Sequence, residues 1–360
     1  MSREPLLFER FPRLGALPHR PLVDRPTPVE EMPRLSAMTG AEIYVKRDDL
    51  SSKAYGGNKT RKLEWLLGEA GAAGADILLT AGAYGSNHVL ATSIHGMAEG
   101  FGVHALLTPQ PITRHVEENL RADLAAGATL ERIPSAALFP AALALYEKKL
   151  RRDGFRPYRI PHGGSSPVGV LGYVEAGLEL GLQIECGEIP EPDRIFVAFG
   201  SGGTAAGLAL GLGALGIVTP IEAVRVTPRV VANTKTISTL IRKTARLLRA
   251  ADPAFPDLGR AAATRVHVND GEFGDGYGTR SEAAERAREL AYADGIRTEG
   301  TYTARALAAL IKRAESRMER RLLFISTLNS RDLSHLLVKV PVAPAIFTEP
   351  PRSLFQRLRG

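Results

Sequence analysis

Two lysines three residues apart, Lys59 and Lys62, are the residues of this chain whose type and position best suit covalent chemistry. They lie in the segment Gly-Gly-Asn-Lys-Thr-Arg-Lys-Leu-Glu, residues 56–64, where a helix is predicted to begin. The positive end of a helix dipole disfavours a protonated ammonium, and burial lowers a lysine pKa further. A deprotonated amine forms a Schiff base with a carbonyl compound. A loop followed by a surface helix whose charged side chains face water is the alternative for this segment.

A glycine-rich turn is the second candidate, and it predicts an anion site. The segment 199–204, Phe-Gly-Ser-Gly-Gly-Thr, follows a predicted strand and opens a predicted helix. Glycines let the backbone approach an anion closely, and the helix start points free N–H groups at it. Neither the Walker spacing nor the dinucleotide spacing is present. A tight turn without a ligand is the alternative.

Three further turns place polar or aromatic side chains just before predicted helices. They are Tyr-Gly-Ser-Asn-His at residues 84–88, Gly-Gly-Ser-Ser at 163–166 and Thr-Tyr-Thr at 301–303. Ser86 and Asn87 suit a grip on an anion or a carbonyl, but both are also good helix N-caps. Tyr302 fits a core position as well as a lid over a planar ligand.

Alternating strands and helices must position these residues. Predicted strands cover residues 43–45, 77–81, 103–107, 195–199, 223–226, 266–268 and 322–325. Predicted helices cover residues 62–73, 87–99, 117–126, 140–152, 168–181, 204–215, 281–294 and 304–317. Such alternation predicts α/β folding with parallel strands covered by helices, and two sheets are plausible. Ligands of such folds bind beyond the carboxyl ends of the strands, where the polar turns fall.

Composition excludes several classes of protein. The 360 residues suggest two domains, and 44% hydrophobic with 24% charged residues is typical of a globular chain. The net charge of +7 is dispersed without interleaved aromatics, so we expect no nucleic-acid partner. One cysteine and scattered histidines predict no disulfide and no metal site. Without a signal peptide or a membrane-length apolar run, we expect a cytoplasmic protein with no membrane partner.

The lysine and the separate anion site together predict pyridoxal 5′-phosphate (PLP), whose aldehyde and phosphate they would hold. Lys-Arg-Asp-Asp-Leu at residues 46–50, followed by the segment 56–64, resembles the 1-aminocyclopropane-1-carboxylate deaminase and D-cysteine desulfhydrase family. That family belongs to the tryptophan synthase β-like enzymes of PLP fold type II. The similarity runs in order from Pro26 to about Leu328. It implies two open, twisted, mostly parallel sheets flanked by helices, and a homodimer.

The resemblance also implies where the chain divides and what holds the cofactor. A large domain would comprise residues 1–61 and 164–360, a smaller one residues 62–163, with the cofactor between them. Lys59 matches the Schiff-base lysine, and Lys62 matches a lysine that assists in holding the phosphate. Asn87 matches the amide that hydrogen-bonds the phenolic oxygen of the cofactor. The residues that match the phosphate loop are Gly200, Ser201, Gly202, Gly203 and Thr204.

Further roles follow from the same resemblance. Ser86 matches a serine beside the substrate, Tyr302 a tyrosine that stacks near the pyridine ring, and Tyr277 a second active-site tyrosine. Thr303 would face the pyridine nitrogen, where cyclopropane deaminases have a glutamate and desulfhydrase-like members a threonine. A neutral hydroxyl there makes the ring a weaker electron sink, which favours elimination of a good leaving group. The candidate substrate contacts are Ser86, Asn87, His88, Gly164 and Ser165.

The resemblance therefore predicts a PLP-dependent lyase that performs α,β-elimination on a small amino acid, as D-cysteine desulfhydrase does, with Lys59 as general base. Two alternatives stay open: cyclopropane deamination or elimination from another amino acid, and a PLP-binding protein without catalysis. Gly85 replaces the usual glutamine before the serine–asparagine pair. Asn329 and Ser330 replace a late glycine pair, so the substrate's identity is open. We expect Asn329 to tolerate the backbone conformation of that turn and Ser330 to add bulk near the ring.

Overall fold

The computed structural model describes residues 4–344 and residue 347. Strands β1 to β10 of this part of the chain are, in order, Val29–Glu31, Glu42–Lys46, Ile77–Ala83, Gly102–Thr108, Thr129–Arg132, Pro157–Arg159, Arg194–Phe199, Ile221–Arg225, Val266–Asn269 and Arg321–Ile325. Helices α1 to α13 are Leu6–Arg10, Pro33–Thr39, Asn58–Ala72, Asn87–Ala98, Arg114–Ala125, Phe139–Arg152, Pro167–Glu185, Gly203–Ala214, Thr234–Ala251, Ala261–Thr264, Glu282–Ala293, Thr303–Glu315 and Ser334–Leu337. Short 3₁₀ segments cover Pro12–Ala16, Asp48–Leu50, Ala136–Leu138 and His162–Gly164.

Two sheets form, and the prediction of mostly parallel α/β architecture is confirmed. The first has the order β1-β2-β10-β7-β8-β9, in which only β1 pairs in the antiparallel direction, with β2. The second has the order β5-β4-β3-β6 and is parallel throughout. Parallel strands require crossover connections, and the helices between successive strands supply them.

Contacts between Cα atoms divide the chain into two compact units. The first comprises the described parts of Met1–Glu69 and Gly163–Arg331, and the second those of Ala70–His162 and Asp332–Gly360. The domain bounds predicted from the sequence stay a prediction, because compact units need not coincide with independently folding domains.

The core of the first unit is built around a close helix pair, α7 and α8. A Cβ added at Gly207 would lie 2.3 Å from the Cβ of Tyr173, and one at Gly211 would lie 2.2 Å from the carbonyl oxygen of Val174. Only glycine permits this approach, and α8 is buried from its first residue, Gly203, to Gly213. The turn at residues 199–204 is therefore held on a rigid helix.

The second unit packs helices against both faces of its four-stranded sheet. Val89 of α4 and Val116 of α5 share one apolar cluster with Leu107 of β4. Leu150 of α6 shares a second cluster with Leu79 of β3. The short turn between β3 and α4, residues 84–86, is thus supported by two packed helices.

Every strand and helix predicted from the sequence is present, with ends that differ by a few residues, but several elements were missed. The antiparallel β1 and the short β5 and β6 are too brief to show a pattern. The 18-residue helix α9 is a clearer omission. Its apolar residues recur at helical spacing, and Ile237, Ile241 and Leu248 are buried.

No helix within residues 4–344 is long and apolar enough to cross a bilayer.

Candidate functional site

Lys59 lies in the first turn of α3, as predicted. Its Nζ donates to the Oδ1 of Asn58 at 3.1 Å, and no carboxylate in the described residues forms an ion pair with it. Burial lowers the pKa of Lys59 to about 8, although the negative charge of Glu299 opposes that shift. About a tenth of this amine is therefore unprotonated at pH 7, far more than for an ordinary lysine, and is available as a nucleophile or a base.

Lys62 lies one turn further along α3 and is fully buried. Its Nζ donates to the carbonyl oxygen of Gly163 and to the Oγ of Ser165, each at 3.1 Å. Burial lowers the pKa of Lys62 well below its usual value, and the positive charge of Lys59 lowers it further. Both partners of this amine are neutral, so a bound anion would favour its charged form.

The glycine-rich turn and the 163–166 turn form one cradle around Ser165. Its Oγ lies 2.7 Å from the Oγ of Ser201 and accepts from the backbone N–H of Gly203 at 3.2 Å. A Cβ at Gly203 would come within 2.5 Å of this oxygen and 2.9 Å of the Nζ of Lys62. Gly202 has a φ of +85°, which a side chain would strain. The structure thus brings Lys62 and Ser165 together with the residues predicted to bind a phosphate.

The other cradle residues connect it to the lysine and to an aromatic ring. The Oγ of Thr204 accepts from the Nδ2 of Asn58, the residue before Lys59, at 3.0 Å. The position of a Cβ on Gly200 lies 3.1 Å from the Cε1 of Tyr302, so this ring packs against the cradle's backbone. Gly164, with a φ of +65°, packs on the side chain of Lys62.

A buried network of charges holds the start of α3. Arg61, between the two lysines, donates to the Oδ1 of Asp48 at 2.8 Å and to the Oε1 of Glu179 at 2.9 Å. Lys46 contacts the same Oε1 of Glu179 at 2.5 Å. These side chains are almost fully buried, and the two cations lower the pKa of Glu179 far below its usual range against the effect of burial. The network fixes the helix turn from which Lys59 and Lys62 project.

The two predicted tyrosines meet. The hydroxyl oxygens of Tyr277 and Tyr302 are 2.9 Å apart, and their rings pack edge to face. Burial raises the pKa of both phenols, so both stay protonated at neutral pH. Each can donate one hydrogen bond and accept another.

Glu299 is a residue that the sequence analysis missed. Its Oε1 accepts from the backbone N–H groups of Tyr302 and Thr303 at 2.8 and 2.9 Å, which caps helix α12. The hydroxyl of Thr303 also lies 3.3 Å from this Oε1. The Thr303 hydroxyl, predicted as a neutral partner of the pyridine nitrogen, thus lies next to the Glu299 carboxylate. An acidic residue four positions before a threonine at a helix start was the available signal.

The turn at residues 327–331 forms hydrogen bonds with the loop that precedes Lys59. The Oδ1 of Asn329 accepts from the backbone N–H of Gly56 at 2.8 Å, and the carbonyl oxygen of Thr327 accepts from the N–H of Asn58 at 3.1 Å. Arg317 is the only non-glycine residue with a positive φ in the described chain, so the backbone of Asn329 is not in the left-handed conformation that this residue type tolerates. Its side-chain amide carries the contact instead.

The remaining predicted residues lie in the second unit. Ser86 caps α4, where its Oγ accepts from the backbone N–H of Val89 at 3.3 Å. The Nε2 of His88 is buried and lies 3.1 Å from the Oγ of Thr80 in β3. The Oδ1 of Asn87 accepts from the Nδ2 of Asn119 at 3.1 Å. Asn119, on α5, was not predicted, because nothing in the sequence connects positions 32 residues apart.

Comparison with known proteins identifies a family. A sequence profile described as "Pyridoxal-phosphate dependent enzyme" matches residues 21–327. D-cysteine desulfhydrase of Salmonella choleraesuis is 39% identical over 310 residues, which cover 84% of this chain and 88% of that protein.

Solved structures agree with this match. The crystal structure of an ACC deaminase homologue has 31% sequence identity and a TM-score of 0.77, and the match covers 94% of this chain and 99% of that one. Threonine deaminase isoform 2 of Solanum lycopersicum, at 18% identity and a TM-score of 0.60 over 93% of this chain and 87% of that one, shares the fold.

Proposed function

This chain belongs to the pyridoxal-phosphate dependent enzyme family, and from that premise we propose that it eliminates the β-substituent of a small amino acid, with D-cysteine as the favoured substrate. The observation that carries the proposal is the arrangement of α3. It presents a Lys59 amine of lowered pKa one turn before a buried Lys62 that has no anionic partner in the described chain. These are a nucleophilic amine and an anion site on one rigid helix.

The residues of the first unit fit PLP. Lys62, the Oγ of Ser165 and the N–H groups that open α8 would hold its phosphate, because each can donate a hydrogen bond and no carboxylate of the described residues is bonded to Lys62 or Ser165. Gly203 leaves open the space that a Cβ would take from this cradle. Lys59 would hold the aldehyde. When bound, the cofactor supplies an electron-withdrawing ring that makes the α-proton of an attached amino acid acidic.

Side chains of the protein would transfer the protons and bind the substrate. The Nζ of Lys59, whose lowered pKa favours the unprotonated form, would accept the α-proton, and its fixed place on α3 would keep it in reach. The paired hydroxyls of Tyr277 and Tyr302 would donate a proton to the departing thiolate. Ser86 and Asn87 would bind the substrate carboxylate and the cofactor's phenolic oxygen, respectively. Overall, cysteine and water give pyruvate, ammonia and hydrogen sulfide.

A second candidate is opening of the ring of 1-aminocyclopropane-1-carboxylate. The observation that favours it is Glu299, whose carboxylate lies 3.3 Å from the hydroxyl of Thr303. A negative charge behind that hydroxyl would favour a protonated pyridine nitrogen and so a stronger electron sink than a lone threonine provides. The two candidates differ in product, since the cyclopropane substrate would give 2-oxobutyrate.

The substrate experiment uses the purified protein with PLP bound. Pyruvate, 2-oxobutyrate and sulfide are measured with D- and L-cysteine, β-chloro-D-alanine, serine and 1-aminocyclopropane-1-carboxylate. We expect equal amounts of pyruvate and sulfide from D-cysteine and a loss of at least a thousandfold in Lys59→Ala. Lys235→Ala, an exposed lysine of α9, is the matched control. Absence of product from every compound would refute the lyase proposal, and 2-oxobutyrate alone would establish the second candidate.

We also propose a cytoplasmic homodimer. The homodimer rests on the family resemblance, and the cytoplasmic location rests on the single cysteine and the ordinary globular composition. Light scattering of the purified protein gives its mass in solution directly, and a mass of 38.7 kDa would contradict the dimer.

A further inference from the structure

The side-chain amide of Asn119 contacts Asn87, a predicted cofactor contact, and has no other role in the proposed function. Asn119 is on α5 and is 4% exposed. Its Nδ2 donates to the carbonyl oxygen of Gly85 at 3.0 Å and to the Oδ1 of Asn87 at 3.1 Å. A longer contact of 3.4 Å joins the same nitrogen to the Nε2 of His115, one turn back on α5. All of these residues belong to the second unit.

We propose that Asn119 is a positioning residue that fixes which end of the Asn87 amide is left for a ligand. The proposal rests on the proposed function, in which Asn87 bonds the phenolic oxygen of PLP. An asparagine amide has an oxygen that only accepts and a nitrogen that only donates. Which of the two faces the cofactor decides whether Asn87 stabilises or repels a negative phenolic oxygen.

The backbone sets the orientation of both amides in turn. The carbonyl oxygen of Gly85 only accepts, so the atom of Asn119 that faces it must be the NH₂ group. The same NH₂ group faces Asn87, so the atom of Asn87 that faces it must be Oδ1. Reversal of either amide would bring two oxygens or two NH₂ groups together. The Nδ2 of Asn87 is therefore the end that remains to donate to a ligand.

Close packing keeps this arrangement in place. A Cβ added at Gly85 would lie 2.8 Å from the Cγ2 of Val116, so glycine at this position lets α5 approach the turn. Val116 is buried and precedes Asn119 by nearly one helical turn. Because Asn119 is also buried, water does not readily replace its bonds. Glycine at position 85, where the family usually has glutamine, thus allows the contact between the Gly85 carbonyl and Asn119 that orients Asn87.

The test is a double-mutant cycle on the protein with and without PLP. Asn119→Ala is made in the wild-type chain and in Asn87→Ala, and the dissociation constant of PLP is measured by absorbance titration. We expect about tenfold weaker binding in the wild-type background and no further loss in the Asn87→Ala background. An equal loss in both backgrounds, or none in the wild type, would overturn the proposal.

A near-isosteric variant gives a spectroscopic readout. Asn119→Asp offers only acceptors, so Asn87 must turn its Nδ2 toward residue 119 and its oxygen toward the cofactor. We expect the pH at which the visible absorbance of bound PLP changes to rise relative to the wild type. Asn233→Asp, at the N-cap of α9 where both residue types are suitable, is the control. If Asn119→Asp does not fold, the alanine cycle decides.

Failure of the two proposals can be told apart. PLP that binds with the expected cycle but releases no product from any amino acid would refute the lyase proposal and leave the role of Asn119 intact. Normal turnover of D-cysteine with additive losses in the cycle would refute the role of Asn119 alone.

Discussion

Replacement of Lys59 by methionine should stabilise the cofactor-free protein at neutral pH. Burial lowers the pKa of Lys59 from 10.5 to about 8, so the folded chain holds its charged form at a cost. One pKa unit corresponds to about 1.4 kcal/mol, and the cost is therefore roughly 3 kcal/mol. Methionine removes this cost but also the hydrogen bond to Asn58, which contributes about 1 kcal/mol. The expected net gain at pH 7 is roughly 2 kcal/mol.

The pH dependence gives the prediction its distinct signature. Between pH 8 and 10.5 the unfolded wild-type chain binds a proton at Lys59 that the folded chain has lost. Wild-type stability therefore rises with pH across this range, relative to the variant. The gain from methionine should shrink above pH 8 and become a loss of about 1 kcal/mol above pH 10.5.

Urea unfolding between pH 7 and 10.5 measures this difference. Trp65 is the only tryptophan, is fully buried and lies on α3, so its fluorescence reports the first unit. Lys235→Met, at an exposed position of α9, is the matched control and should show no such pH dependence. A stability difference for Lys59→Met that is the same at pH 7 and pH 10 would refute the reasoning that burial lowers this pKa.

Three further changes test other parts of the structure. Gly203→Ala should weaken PLP binding at least tenfold in an absorbance titration, because the added Cβ would come within 2.5 Å of the Oγ of Ser165. Gly15→Ala is the control and should have no effect, because a Cβ at Gly15 meets no atom within 4 Å. Glu179→Gln should lower the free energy of unfolding, measured in urea, by about 3–5 kcal/mol, because it leaves the buried Lys46 and Arg61 without a full counter-charge. A loss below about 1 kcal/mol would count against the network. Burial raises the pKa of Asp123 to about 8, so the folded wild type binds a proton between pH 4 and 8 that the unfolded chain lacks. The stability gained by Asp123→Asn should grow across that range, to at most roughly 6 kcal/mol, and a gain independent of pH would contradict it.

Sequence patterns were sufficient where the cause is local. A glycine-rich turn before a helix predicts an anion site because the exposed N–H groups belong to consecutive residues. Lys59 and Lys62 were identified for the same reason, since one helix turn separates them. Helix α9 shows that a local signal can also be overlooked, because its buried Ile237 and Ile241 repeat at helical spacing.

Contacts between distant segments were beyond such patterns. Glu179 is 118 residues from Arg61, yet their ion pair holds the turn that carries both lysines. Asn119 is 32 residues from Asn87, and only the packing of α5 on the turn at Gly85 brings them together.

The sequence by itself determined the α/β architecture, the family and the lysine that would hold the cofactor, because periodicity and short motifs record local backbone chemistry. Only the tertiary structure decided the electrostatic surroundings of these groups. The lowered pKa values of Lys59 and Lys62 and the carboxylate of Glu299 next to Thr303 all depend on burial and on charges brought from elsewhere in the chain. Electrostatic energy depends on distance and solvent exposure, and both are properties of the folded chain.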